Sequence, residues 1–261
     1  MRHLCVLSVV MCAVVLTAGT VSGQEYERVL LPVVTNSSPG AFGSLWSTFL
    51  AVYNGSDSTG VIEYPFGCVI GTCPRGLPIG AHETSVLTTI GPPPAGIPGL
   101  LVYVLQPQNA RFAFETRVQD LSRQALTWGT ELPAIHESAA RTDTLQLLDI
   151  PLDVRFRRLL RVYDLDARLA SVVRVRILPM TSDVSLAELD LVMTPYLMEP
   201  FTDRPFYPGY ASLADFTQLP GVAGMDRVRI EIRPVTSGLR FWAFVSVTNN
   251  ETQHVTTITP Q

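Results

Sequence analysis

Apolar and polar residues alternate with period two over short segments along most of the chain, a spacing that sends successive side chains to opposite faces of an extended strand. The segments fall at about 28–35, 46–54, 59–66, 83–90, 99–106, 111–121, 144–150, 155–164, 170–178, 187–194, 226–234, 240–249 and 254–259. Clusters of Gly, Pro, Asn, Asp and Ser separate them, so the pattern predicts an all-β chain of sandwich or barrel type. In Arg227–Arg233 every second residue is apolar and the others are charged, which predicts one dry and one wet face. Phe241–Val245 is apolar at every position and predicts a central strand covered on both sides. Helical signal is confined to Ser212–Thr217, one turn capped by Ser212 ahead of Pro220 and Gly221. The segment Gly91–Gly99, with four prolines, reads as a stiff connector.

A faint repeat runs through this pattern. Phe49–Gly55 matches Leu159–Leu165 at an offset of 110 residues, each an alternating strand that ends in an Asn or Asp turn. A further strand lies upstream of each copy, at Val29–Val34 and Leu145–Ile150, and the offset is the size of one small β domain. Residues Ala134–Arg141 read as linker sequence. The expected organisation is one β-sandwich over 27–137, a linker over 138–142 and a second sandwich over 143–261.

The first residues have a different character. Arg2 and His3 precede an apolar run from Leu4 to Leu16, and small residues at Val21 and Gly23 suit signal peptidase, which predicts a signal peptide over 1–23 and cleavage before Gln24. No apolar run of about 18 residues follows, so no membrane span is expected in the mature chain. Strand and turn pieces such as Val52–Gly55 and Val247–Thr252, behind an export signal, resemble the tandem immunoglobulin-like modules of secreted bacterial proteins. The resemblance implies two immunoglobulin-like sandwiches acting as a spacer, an adhesin or a carbohydrate-binding appendage, and it carries over no functional residue. The Cys, Trp, Cys set of antibody domains has no counterpart here.

Signal removal would discard Cys5 and Cys12 and leave Cys68 and Cys73. In an oxidising compartment the pair predicts a disulfide closing a short loop. Zinc held with His82 is the sharper alternative, but a structural zinc wants four ligands and the cysteines supply one pair.

Composition narrows the chemistry further. All 19 basic residues are arginine, which removes phosphate-loop lysines, pyridoxal Schiff bases, kinase strand lysines and Ser-x-x-Lys dyads. Against 23 acids the arginines leave a net charge of −4, so a basic footprint for nucleic acid is absent. Runs such as Arg155, Arg157, Arg158 and Arg161, then Arg174 and Arg176, interleave with apolar residues and read as solvated strand faces, with an anion-binding patch as the alternative.

Candidate catalytic constellations are incomplete. His136-Glu137 and His82-Glu83 each begin a zinc-protease motif, yet Ala140 and Val86 stand where the second histidine belongs. Asp164 with Asp166, and Glu188 with Asp190, are the acid pairs that glycoside cleavage could use; the first reads as a turn that bonds its own backbone and the second as a solvated face. No catalytic residue, metal or cofactor is therefore assigned. The glycosylation acceptors Asn36, Asn54 and Asn250 read as turns.

The most suggestive binding feature is the loop 201–210, which combines four aromatics with Arg204 and prolines. Arg204, Phe206, Tyr207 and Tyr210 could stack sugar rings or anchor a protein; the competing reading tucks the loop over a sandwich edge with its rings buried. The expectation is a secreted or periplasmic, non-catalytic interaction or surface-structural module that binds carbohydrate or a surface protein. An extracellular carbohydrate-active enzyme or accessory domain using paired carboxylates is the rival.

Overall fold

A computed structural model of the chain describes residues 26–64, 76–87, 99–105, 111–123, 128–168, 170–194 and 204–261. Over these residues the protein is all-β, with no helix of seven or more residues. The N-terminal stretch contributes β1 (Tyr26–Leu31), β2 (Ser38–Pro39), β3 (Leu45–Asn54), β4 (Gly60–Glu63), β5 (Leu77–Ile79), β6 (Thr84–Val86), β7 (Leu100–Leu105), β8 (Phe112–Asp120), β9 (Thr130–Leu132) and β10 (Ile135–His136). The C-terminal stretch contributes β11 (Leu145–Pro151), β12 (Phe156–Asp164), β13 (Ser171–Pro179), β14 (Ala187–Met193), β15 (Gly209–Ala214), β16 (Arg227–Pro234), β17 (Phe241–Asn249) and β18 (Val255–Ile258).

All named strand pairs are antiparallel, and no sheet mixes strands from the two stretches. The first forms sheets β10-β1-β7-β4-β5 and β2-β3-β8-β9, with β6 also on β3. The second forms β11-β16-β13-β14 and β15-β12-β17-β18. Setting aside β2 and β10, the pairings correspond strand for strand: β1-β7-β4-β5 follows the order of β11-β16-β13-β14, and β6-β3-β8-β9 that of β15-β12-β17-β18. The sequence repeat falls on β3 and β12, which hold the same place in that order.

Period-two patterning sets the layers. Val228, Ile230 and Ile232 of β16 are fully buried against Leu145, Leu147, Val173 and Val175, while Arg227 and Arg233 are exposed; the expected wet face is corrected at Glu231, which is buried and paired with Arg176 and Arg233. β17 is covered on both faces, as its unbroken apolar run predicts. Phe241, Ala243 and Val245 enter the C-terminal core, whereas Trp242 and Phe244 turn the other way. There they meet Leu30, Leu101, Tyr103, Leu132 and Ile135 of the N-terminal stretch together with Tyr163 and Leu165, forming a second apolar seam that joins the two pairs of sheets. Close approach matters at this seam: a Cβ on Gly99 would lie 2.9 Å from Cε1 of Tyr163 and 3.1 Å from Cγ of Pro208.

Each predicted strand segment overlaps an observed one, and the departures have local causes. β2, β5, β9, β10 and β15 were not predicted; each is short, contains proline or is built of Gly, Ala and Ser, so none carries a β-propensity signal. The turn expected at Ser212–Thr217 is corrected: Ser212 lies inside β15, paired with Arg161, and a 3-10 turn over Phe216–Gln218 follows Asp215 in the left-handed region. The expected linker is also more ordered than its composition suggests. Ile135 and His136 pair with β1, Glu137–Ala139 form a 3-10 turn, and Arg141 exchanges backbone hydrogen bonds with Phe241 at 2.8 and 2.9 Å. The predicted signal segment, the Cys68–Cys73 pair and most of the Gly91–Gly99 connector lie outside the described residues. No helix in the described residues is long and apolar enough to cross a membrane.

Candidate functional site

Of the loop expected to bind, Arg204 and the residues after it are described, and they turn inward. Tyr207 packs into the N-terminal core beside Val29, Leu100 and Val102. Phe206 meets Tyr103 edge-on with ring centroids 5.5 Å apart, and its carbonyl accepts the Leu101 amide at 2.7 Å. Arg204 lies 3.8 Å above the Tyr26 ring and pairs with Glu63 at 3.0 Å. Tyr210 leans on Tyr163, centroids 5.4 Å apart. None of the three rings is exposed, so the tucked reading of the loop describes their geometry: the segment straps one stretch to the other, and Tyr210 alone also reaches an open cleft.

The acid pairs are occupied structurally. Asp164 is fully buried and accepts hydrogen bonds from the amides of Asp166 and Arg168 and from the Ser171 hydroxyl, the self-bonding turn its sequence predicts. Asp166 instead joins Arg28, Glu137 and Arg240 in a charge cluster across the seam: Arg28 reaches Glu137 at 2.7 Å and Asp166 at 2.9 Å, and Arg240 bonds both acids. The Arg28 guanidinium holds the Glu137 carboxyl below its ordinary range against the opposing effect of burial. Burial pushes Asp166 upward, but hydrogen bonds from Arg240 and Arg28 outweigh it and the net shift is downward. Glu188 and Asp190 pair with Arg174 and Arg176 on an exposed face of β13 and β14. His82 contacts Asp57 and His136 contacts Glu27, and among the described residues no group of three or more His, Cys, Asp and Glu could hold a metal.

An open cleft of about 660 Å³ lies between the two stretches. One wall comes from 33–41 with Trp46, Val118, Thr130 and Leu132. The other is the outward face of β15-β12-β17-β18, including Tyr210, Leu159, Phe244, Ser246 and Thr257. Alternation along β12 explains this wall. Leu160 and Val162 point into the C-terminal core, which leaves Arg157, Leu159, Arg161 and Tyr163 on the opposite face. The inner end of that face is sealed by Tyr163, Trp242 and Phe244, and the outer end stays open. A bond from the Thr130 hydroxyl to the Val255 carbonyl, 2.8 Å, ties the two walls together.

Three arginines of β12 line this cleft: Arg157, Arg158 and Arg161. Arg161 donates to the Ser246 hydroxyl at 2.8 Å and lies 5.4 Å from the Phe244 ring centroid, while its buried Nε has no hydrogen-bond partner among the described residues. Arg158 is 7% exposed; it donates to the carbonyls of Pro151 and Asp153, its Nε is likewise unpartnered, and Asp215 stands 3.8 Å away. Arg157 donates to the side-chain oxygens of Asn250 and Gln253 and sits 5.3 Å from the Phe42 ring. Burial lowers the pKa of Arg157 and of Arg158, with Arg123 adding like-charge repulsion at Arg157. Elsewhere arginines find acids. Among the described residues only Arg111, Arg157 and Arg161 lack a carboxylate within 4.0 Å.

The expectation that the Arg155–Arg161 run forms a solvated face is thus corrected at three positions, one of them Arg158, which is buried. Arg155 is exposed and paired with Asp153, but Arg157 and Arg161 face another layer of protein across the cleft. The available signal was Leu159 and Tyr163, apolar residues on the same face as those arginines, which a fully wet face would not place there. Comparison with known proteins finds no matching family, no matching curated protein and no matching solved structure.

Proposed function

We propose that the chain is an exported, non-catalytic binding module of two β-sandwich units, 27–137 and 143–261, that seats its ligand in the cleft between them. The observation that carries this reading is the cleft itself: about 660 Å³, walled by both stretches and furnished with guanidinium, hydroxyl and aromatic groups around apolar side chains. That size and mixture are typical of small-molecule sites. Among the described residues that line it are three arginines and one carboxylate, Asp215, which stands beside Arg158. Export rests on the pattern of residues 1–23, with a secreted or periplasmic destination. The immunoglobulin-like resemblance is supported by antiparallel sheets and by unit size; the strand order differs from that of antibody constant domains, where the first, second, fifth and fourth strands share a sheet.

The test is a cleft-filling variant. Ser246→Trp places a large ring between the walls without touching the buried cores. Wild type is expected to capture at least one compound in a screen of oligosaccharides and small organic molecules followed by calorimetry, and Ser246→Trp is expected to lose that capture while still unfolding cooperatively, at a melting temperature lowered by the lost bond from Arg161. Equal capture by both proteins would place the ligand elsewhere. Turnover of a captured glycan, abolished by Asp215→Asn, would favour the enzyme reading.

A further inference from the structure

Arg157 and Arg161 on the cleft wall carry charge that no carboxylate among the described residues neutralises. Arg157 is satisfied by two neutral amide oxygens and Arg161 by a hydroxyl, so their hydrogen-bonding is partly met while their positive charge is not. Two partly buried guanidinium groups on the same face of β12, four residues apart and without a carboxylate within 4.0 Å among the described residues, are costly without an anion nearby. The repeat sharpens this. At the positions of β3 that correspond to Arg157, Arg158 and Arg161 the chain has Ser47, Thr48 and Ala51, so the strand order does not require arginine there.

The surroundings limit what the anion is attached to. Val33, Val118, Leu132 and Val255 line the rest of the cleft, with Trp46 and Phe244 supplying aromatic surface. A bare ion would leave these walls against water, and a macromolecule would not fit a volume of about 660 Å³. We propose that the cleft binds a small amphiphilic anion, an apolar body ending in an oxyanion head, with Arg157 and Arg161 receiving the head and the apolar walls covering the body. This rests on the cleft being the ligand seat argued above. Guanidinium groups hold carboxylate, sulfate and phosphate oxygens alike, and better than a point charge does, because the planar fork matches their geometry.

Calorimetric titration of the full chain with octanoate, octyl sulfate, octyl phosphate, 1-octanol and inorganic phosphate tests the proposal. At least one octyl anion is expected to bind roughly tenfold or more tightly than 1-octanol, the size of one charge-assisted contact. Inorganic phosphate alone is expected to bind at least about tenfold more weakly than that octyl anion, and the ranking of the three heads identifies the oxyanion. Arg161→Gln and, separately, Arg157→Gln are expected to erase the anion preference while leaving 1-octanol affinity in place and the melting temperature no lower than that of wild type. Should Arg161→Gln melt without cooperativity, Arg157→Gln decides alone. Octanol binding as tightly as every anion, a preference that survives both variants, or no binding of any octyl compound would overturn the proposal. If octanol and anions bind equally and Ser246→Trp abolishes both, the cleft remains the ligand seat and the anionic class alone falls.

Discussion

Asn54 and Asp164 end equivalent strands at equivalent turns, and the chemistry of each site dictates which of the two residues it takes. Both are fully buried, and each accepts the amide two residues on through its side-chain oxygen. Asn54 also donates through Nδ2 to the carbonyls of Ser58, Ile79 and Gly80, at 2.9 to 3.0 Å, whereas Asp164 only accepts, from Arg168 and Ser171. Exchanging the two therefore fails in both directions. Asn54→Asp strands three carbonyls against a carboxylate, and Asp164→Asn turns an amide donor toward the Arg168 amide. Each is expected to lower the free energy of unfolding by about 2–3 kcal/mol, read from urea titration; a neutral exchange at either site would refute the assignment of donors and acceptors. This turn chemistry was legible, because Asn and Asp after an alternating strand have few other readings. The arginines of the cleft were not, since alternation separates two faces of a strand but cannot say whether the polar face meets water or a second layer.

At the scale of the element, β17 is the strand on which both layers depend. Its inward residues complete one core and its outward pair, Trp242 and Phe244, completes the seam, where Tyr163 stacks on Phe244 nearly in parallel with centroids 6.4 Å apart. An outward aromatic on an isolated sandwich would lose little on truncation; here Trp242→Ala and Phe244→Ala are each expected to destabilise by about 3–5 kcal/mol, as measured by thermal or chemical unfolding. A loss below about 1 kcal/mol would mean that the seam is not packed as described. The unbroken apolar run of 241–245 announced this double burial, and long alternating strands were legible for the same reason. β5, β9 and β15 escaped because three to six residues of mixed character are held in register by their neighbours and not by their own preference.

For the molecule as a whole, the seam combines apolar contact with the cluster of Arg28, Glu137, Asp166 and Arg240, and the latter makes the joint sensitive to acid. Both carboxyls titrate below their ordinary values in the folded protein. Their contribution is thus complete above the ordinary carboxylate range near about pH 4 and fades as pH falls through the lower folded values. The melting temperature of Glu137→Gln should lie below that of wild type at neutral pH, and the gap should close as both are titrated to about pH 2; a gap independent of pH would show that Glu137 acts by packing alone. Separating the stretches should uncover the seam. Residues 143–261 expressed alone would present Tyr163, Trp242 and Phe244 to water and are expected to self-associate in analytical ultracentrifugation, where the full chain stays monodisperse. Repeat and linker gave a sequence reason to expect two units, but nothing local announces the seam, because it is formed by residues distant in sequence whose partner surface no local pattern reveals. Phe206 and Tyr207, which follow β14 in the chain yet lodge among side chains of the N-terminal stretch, give the joint a mechanical character. Tension drawn across it must extract two rings and shear the bond from Leu101 to Phe206 before the two stretches part, so the joint would transmit a pull stiffly and not slacken like beads on a string.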